Sequence, residues 1–223
     1  MKEPQTPRPN PSHYPAMDQW QSTKNAAAYV GTRQPGRFHR YEQEEAIMNH
    51  WLDTLPANAL VLDIPCGTGR FVKTVIGHGF RYIGGDISQA MIDQARQVTD
   101  SPLVQPFLHA DAAKLPLEDN SVDCVIVWRL LHHIRDEGAR KAILAEACRV
   151  SRRAVILSFH HPCSFTALRK KLKRAVLGRG NGAEISVGRL RREAGERGLD
   201  LVETRGFRKY VSINWFALLQ KRA

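Results

Sequence analysis

Three groups of residues in this chain have the types and spacing to do chemistry. Gly67 and Gly69 form a short loop, Pro65-Cys66-Gly67-Thr68-Gly69, directly after the apolar run of residues 59–64. Phe71, Val72, Val75 and Ile76 then recur at helical spacing, so the order is strand, glycine loop, helix. That order builds a nucleotide site in an open α/β sheet: glycines let backbone N–H groups approach a ligand, and the positive helix end favours its anionic part. The second group is a carboxylate, Asp86, in Gly84-Gly85-Asp86-Ile87-Ser88, 19 residues beyond Gly67. The third is a pair of histidine doublets, His132-His133 and His160-His161, each following an apolar run. An imidazole there could take the proton from a hydroxyl nucleophile, and any of the four histidines is a candidate general base. No carboxylate falls at metal-ligand spacing around the doublets, so no metal site is expected.

These groups need elements to hold them. Apolar runs at 59–64, 81–86, 103–110, 122–128 and 154–159 read as strands. Helical patterns separate them, including one from Ser88, a plausible N-cap, and one over about 136–150. Five strands alternating with helices predict a parallel sheet covered on both faces, with the strand ends facing a ligand crevice. Ahead of the sheet, a helix over about 40–55 places Tyr41, Glu45, Met48, Trp51, Leu52 and Leu55 near one stripe. After it, a helix over 186–197 precedes two runs, 199–204 and 210–220, suited to antiparallel pairing. Residues 1–21 carry five prolines and little apolar clustering, which reads as a disordered tail; residues 22–223 form the expected domain.

Charge is unevenly spread. Residues 161–223 hold 15 Lys/Arg against 5 Asp/Glu, a net of +10 out of the chain's +11. That asymmetry implies an anionic partner: an acidic substrate, a membrane surface or nucleic acid. No apolar run approaches the roughly 18 residues of a membrane span, and the N-terminus lacks the apolar core of a signal peptide. Four scattered cysteines, Cys66, Cys124, Cys148 and Cys163, suit reduced thiols, so a cytoplasmic location is expected.

Taken in order, VLDIPCGTGRF, GGDIS and DAAKLPLEDNSVDCVIVWRLLHHI resemble the successive motifs of the class I S-adenosylmethionine-dependent methyltransferases, in particular the broad type 11 methyltransferase-domain group. A dinucleotide-binding GxGxxG loop would need a third glycine where Val72 stands. The resemblance implies a Rossmann-like α/β/α sandwich with a seven-stranded, mostly parallel sheet whose last strand is antiparallel. It also implies a site for S-adenosylmethionine, released as S-adenosylhomocysteine, built from Asp63, Pro65, Cys66, Gly67, Gly69, Asp86, Ile87, Asp111, Ala112 and Trp128. Within that set Asp63 would order the loop and the methionine end, Asp86 would accept from the ribose hydroxyls, Ile87 would pack on the adenine and Asp111 would accept from its amino group. Pro65 departs from the group's usual glycine, fixing φ and removing an N–H. Cys163, in Pro162-Cys163-Ser164, lacks the Pro-Cys motif after the fourth strand found in cytosine-C5 RNA methyltransferases, and reads as incidental.

The most individual stretch is a basic helical insertion at about 163–185. Phe165, Leu168, Leu172 and Val176 make an apolar stripe, while Arg169, Lys170, Lys171, Lys173 and Arg174 crowd the other faces. Such a helix could cover an anionic substrate or lie peripherally on the acidic inner face of a membrane. Tyr29, Arg33, Arg169, Lys170 and Lys173 are candidate substrate-binding residues. The expected reaction is methyl transfer to a small or lipid-like, anionic acceptor, with the histidines favouring oxygen. An RNA acceptor and a non-catalytic cofactor-binding module stand as alternatives.

Overall fold

The computed structural model describes residues 38–162, 169, 183–207 and 212–222. The proline-rich tail, Tyr29, Arg33, Cys163, Lys170, Lys173 and nearly all of the basic insertion lie outside the described residues; Arg169 is exposed.

Helix α1 (Phe38–Leu52) precedes β1 (Leu60–Asp63), α2 (Val72–Gly77), β2 (Arg81–Asp86) and α3 (Gln89–Ala95). Then come β3 (Leu108–His109), β4 (Val122–Val127), α4 (Glu137–Val150), β5 (Ser151–His160), α5 (Val187–Gly195), β6 (Leu199–Gly206) and β7 (Asn214–Lys221). The strands form one seven-stranded sheet in the order β3-β2-β1-β4-β5-β7-β6. Strands β1 to β5 pair in parallel, and β7 runs antiparallel between β5 and β6. The expected three-layer architecture is the one found.

Alternation along the central strands explains the layers. Leu62, Val125, Val127, Val155 and Leu157 point to the face covered by Ile143 and Leu144 of α4 and Leu190 of α5. Val61, Cys124, Ile126, Ala154 and Ile156 point to the other face, covered by Met48 and Trp51 of α1 and Val72 and Val75 of α2. With helices on both faces, β4 is buried along its whole length.

Helix starts follow side-chain caps. Ser88 accepts from the Met91 N–H, Asp136 from the Ala139 N–H and Ser186 from the Arg189 N–H. Three expectations need correction. The stripe of α1 is Glu44, Ile47, Met48, Trp51 and Leu52, all buried, whereas Glu45 is exposed. The expected strand over 103–110 keeps only Leu108 and His109 in the ladder, with Val104 making an isolated bridge to Tyr82. Pro106 lies between them and has no N–H to donate, which edge strands tolerate only as an interruption. Strand β5 begins at Ser151 instead of Ala154, because Ser151 already adopts extended dihedrals right after α4.

Leu62 is fully buried in the strand that carries the glycine loop. Leu62→Ala should therefore lower the unfolding free energy by about 2–5 kcal/mol, read as a fall in the urea midpoint at unchanged slope. A loss under about 1 kcal/mol would mean the site rests on a loosely packed strand.

Candidate active site

The C-terminal ends of β1, β2, β4 and β5 open into a cleft of about 380 Å³. Its floor is the glycine loop. Asp86 is 5% exposed, and its two carboxylate oxygens accept separately from the Gly67 N–H and the Ser88 N–H, both at 2.9 Å. Gly67 (φ +53°) and Gly69 (φ +78°) occupy left-handed backbone. At Gly69 a Cβ would also stand 2.9 Å from Val98 Cγ2, so this glycine lets the loop press against the turn after α3 and does not itself line the cleft.

The loop spends its donors internally. The Cys66 N–H reaches Gly85 O at 2.7 Å, the Gly69 N–H reaches Cys66 O at 3.1 Å and the Gly67 N–H is held by Asp86. At these three positions the glycine loop supplies room and shape, not donors to a ligand. The following helix α2 has only six residues, so its dipole adds little to what Asp86 does. The ordering role read for Asp63 thus falls to Asp86.

Asp63 is buried at the strand tip, with Oδ2 accepting from the Tyr82 hydroxyl at 2.9 Å. Its Oδ1 is buried, lacks a partner among the described residues, and belongs to a side chain that lines the cleft. Burial pushes the carboxyl up to about 7; the Tyr82 hydrogen bond pulls the other way, and the Asp86 charge adds to the rise. Asp86 is also raised by burial, against the pull of its backbone N–H bonds.

Pro65, Cys66, Gly67, Ile87 and Trp128 line the cleft with these acids. Asp111 and Ala112 do not: Asp111 Oδ1 accepts from the Ala113 N–H at 2.8 Å, capping its own turn.

The histidines divide. Leu131–His133 form a short 3₁₀ turn after β4, and Arg140 steadies the chain beyond it by donating to Ile134 O and Arg135 O. His132 and His133 line the cleft, their ring centroids 4.2 Å apart. His160, at the end of β5, stacks on His132 at 4.2 Å and 16°. His161, just beyond β5, stacks instead on Trp215 at 4.4 Å. Partial burial, and then the Arg129 charge, hold His133 below the ordinary histidine range. Among the described residues no three His, Cys, Asp or Glu side chains could hold a metal ion, and no helix is long and apolar enough to cross a membrane.

Sequence reasoning missed the opposite wall. Glu44 of α1 is 2% exposed and forms ion pairs with both Arg70 and Arg129; the Arg129 Nη2 lies 2.9 Å from each carboxylate oxygen. The Trp128 indole N–H also donates to Glu44, at 3.3 Å. Trp128 stacks on Phe216 of β7, centroids 4.7 Å apart, with Phe71 edge-on at 5.2 Å.

The sheet and the placement of this cleft define the class I methyltransferase fold. A methyltransferase-domain family model matches residues 61–154. It is similar to magnesium protoporphyrin IX methyltransferase from Synechocystis PCC 6803, crystallised with S-adenosylhomocysteine, at a TM-score of 0.75 and 19% identity over 93% of this chain and 98% of that one. Among curated relatives, 2-phytyl-1,4-naphtoquinone methyltransferase from Synechococcus elongatus is 32% identical over 56% of this chain and 55% of its own length. The tRNA (carboxymethyluridine(34)-5-O)-methyltransferase of Arabidopsis thaliana is 33% identical over 45% of this chain and 23% of its own. The chain thus spans about half or less of these curated relatives.

The raised Asp63 carboxyl has a signed consequence. The unfolded chain loses this proton near 3.8 while the folded protein keeps it to about 7, so Asp63 costs stability progressively as pH rises between those values. Asp63→Asn should remove that slope, gaining stability over the wild type from pH 5 to pH 7.5 in urea titrations. Parallel pH dependences in the two proteins would contradict it.

Proposed function

We propose that this protein transfers a methyl group from S-adenosylmethionine to the hydroxyl or carboxyl oxygen of a small, anionic acceptor. The observation that carries this reading is the cradle at the strand tips: Asp86 fixing the Gly67 loop, with the unpartnered Asp63 oxygen beside it. An ionised carboxylate has about four acceptor positions. Asp86 takes the Gly67 N–H on one oxygen and the Ser88 N–H on the other, with the Ile87 N–H as a third donor, and its remaining acceptor capacity suits a ribose hydroxyl. Asp63, acidic and buried, suits the positively charged amino-acid end of the cofactor.

When bound, the cofactor supplies a methyl group already activated on a sulfonium. The protein's own task is to align the acceptor, exclude water and remove a proton where the nucleophile carries one. Alignment alone can lower a barrier by about 7–11 kcal/mol. His133 is the best-suited base: it lines the cleft, and its depressed pKa keeps the imidazole neutral and able to accept a proton at neutral pH. His132 lies between the other two, tilted against His133 and stacked on His160.

A quinone-modifying relative and a porphyrin-modifying structural neighbour support a small-molecule acceptor. An RNA acceptor is the second reading, favoured by the tRNA-modifying relative and by the +10 charge of residues 161–223.

Calorimetry with S-adenosylhomocysteine tests the cofactor half: Asp86→Ala should abolish measurable binding, and tight binding by the variant would remove the basis of the proposal. With an acceptor in hand, His133→Ala should lower turnover about 10²–10⁴-fold. The wild-type acid limb of kcat/KM should fall below pH 6.5, the ordinary histidine value, and vanish in the variant. An unchanged profile would exclude His133 as the base.

A further inference from the structure

The cleft has two electrostatic poles. Asp63 and Asp86 sit at the strand tips; Arg70 and Arg129, with Arg40 of α1, line a second wall. Arg70 and Arg129 reach this wall from different loops, after β1 and after β4, and Glu44 bridges both. The Tyr41 ring backs the same two guanidiniums, at 4.7 Å from Arg70 and 5.2 Å from Arg129, and Phe71 lies 4.9 Å from Arg70. Arg129 is one of the few non-glycine residues at positive φ (+57°), and its N–H is pinned at 2.6 Å to the hydroxyl of buried Ser158. Such strain persists only where surrounding contacts enforce it, and here it aims Arg129 along the cleft wall.

Two guanidiniums converge on one carboxylate, with side-chain exposures of 22% and 27% against 3% for Glu44. Glu44 and both cations line the cleft, the carboxylate more deeply buried than the guanidiniums. Planar guanidiniums held against a ring are pre-organised to bind carboxylate or phosphate oxygens, and their order is already set before a ligand arrives.

We propose that Arg70 and Arg129, oriented by Glu44 and Tyr41, form a binding subsite for a carboxylate or phosphate group entering the cleft. Arg70 is near enough to Asp63, and Arg129 to His133, for each charge to act on the other group, so an anionic oxygen held there would place the rest of its molecule across the cleft. The group belongs either to the acceptor or to the amino-acid end of the cofactor. The inference rests on the methyltransferase reading for the identity of those ligands, and on geometry alone for the subsite.

The test uses the full chain and Arg70→Gln, Arg129→Gln and Arg129→Lys variants, each first checked for wild-type circular dichroism and melting. S-Adenosylhomocysteine and 5′-methylthioadenosine, which lacks the amino-acid carboxylate, are titrated by calorimetry. Inorganic phosphate is then titrated into protein saturated with S-adenosylhomocysteine and followed by phosphorus NMR linewidth. If the acceptor supplies the anion, phosphate binding weakens about tenfold or more in both glutamine variants, partly returns in Arg129→Lys, and both nucleosides bind as in the wild type. If the cofactor supplies it, S-adenosylhomocysteine alone weakens by that factor. Unchanged affinities for all three probes, or equal losses for the two nucleosides, would overturn the subsite. Failure of the wild type to bind either nucleoside would instead overturn the methyltransferase reading.

Discussion

One buried carboxylate holds the cleft together. Asp86 terminates β2, and its oxygens take one N–H from the loop after β1 and one from the turn that starts α3. Two segments that also meet through the Cys66–Gly85 hydrogen bond and the packing of Gly69 on Val98 are thereby tied to a single point. Burial raises the carboxyl's pKa and would favour the neutral acid, but the N–H donors favour the ionised form. The floor of the cleft is therefore stiff and electronegative together. Neither property would survive replacing the carboxylate by an apolar side chain.

The wall opposite is built on the same logic with the sign reversed. Glu44 comes from α1, Arg70 from the loop after β1 and Arg129 from the end of β4, so one ion cluster connects a helix outside the sheet with two strand ends inside it. Trp128 adds an indole N–H to Glu44 while its ring stacks on Phe216. Charge and aromatic packing share the same side chains. A change at any of them would be felt both in the position of α1 and in the chemistry of the cleft.

Much of this was legible in the chain, for a definite reason. Strands buried on both faces are continuous apolar runs, and the glycines and Asp86 sit at fixed offsets from their ends, so local pattern was enough. Glu44 was not legible. The expected stripe shares Met48, Trp51 and Leu52 with the real one but takes Tyr41 and Glu45 in place of Glu44 and Ile47, and the bridging of a buried carboxylate to arginines 26 and 85 positions away leaves no local trace. The window Glu44, Ile47, Met48, Trp51 and Leu52 does fit a buried helical face, and weighting Ile47 over Tyr41 would have found it. Asp111 shows the opposite error: a motif position with the right residue type whose side chain caps its own turn. Likewise, the shortened β3 follows from a proline visible in the sequence, whose effect depends on that strand's lying at the sheet edge.

Strand β7 lies between β5 and β6 and carries Asn214 and Phe216 into the cleft. Its outer neighbour β6 is an edge strand, and edges are where sheets fray first. Phe216 stays buried all the same, because β7 is held along seven residues by β5 on its inner side and by β6 on its outer side. The same inserted strand that completes the sheet thus keeps the aromatic backing of Trp128 one strand in from the fraying edge.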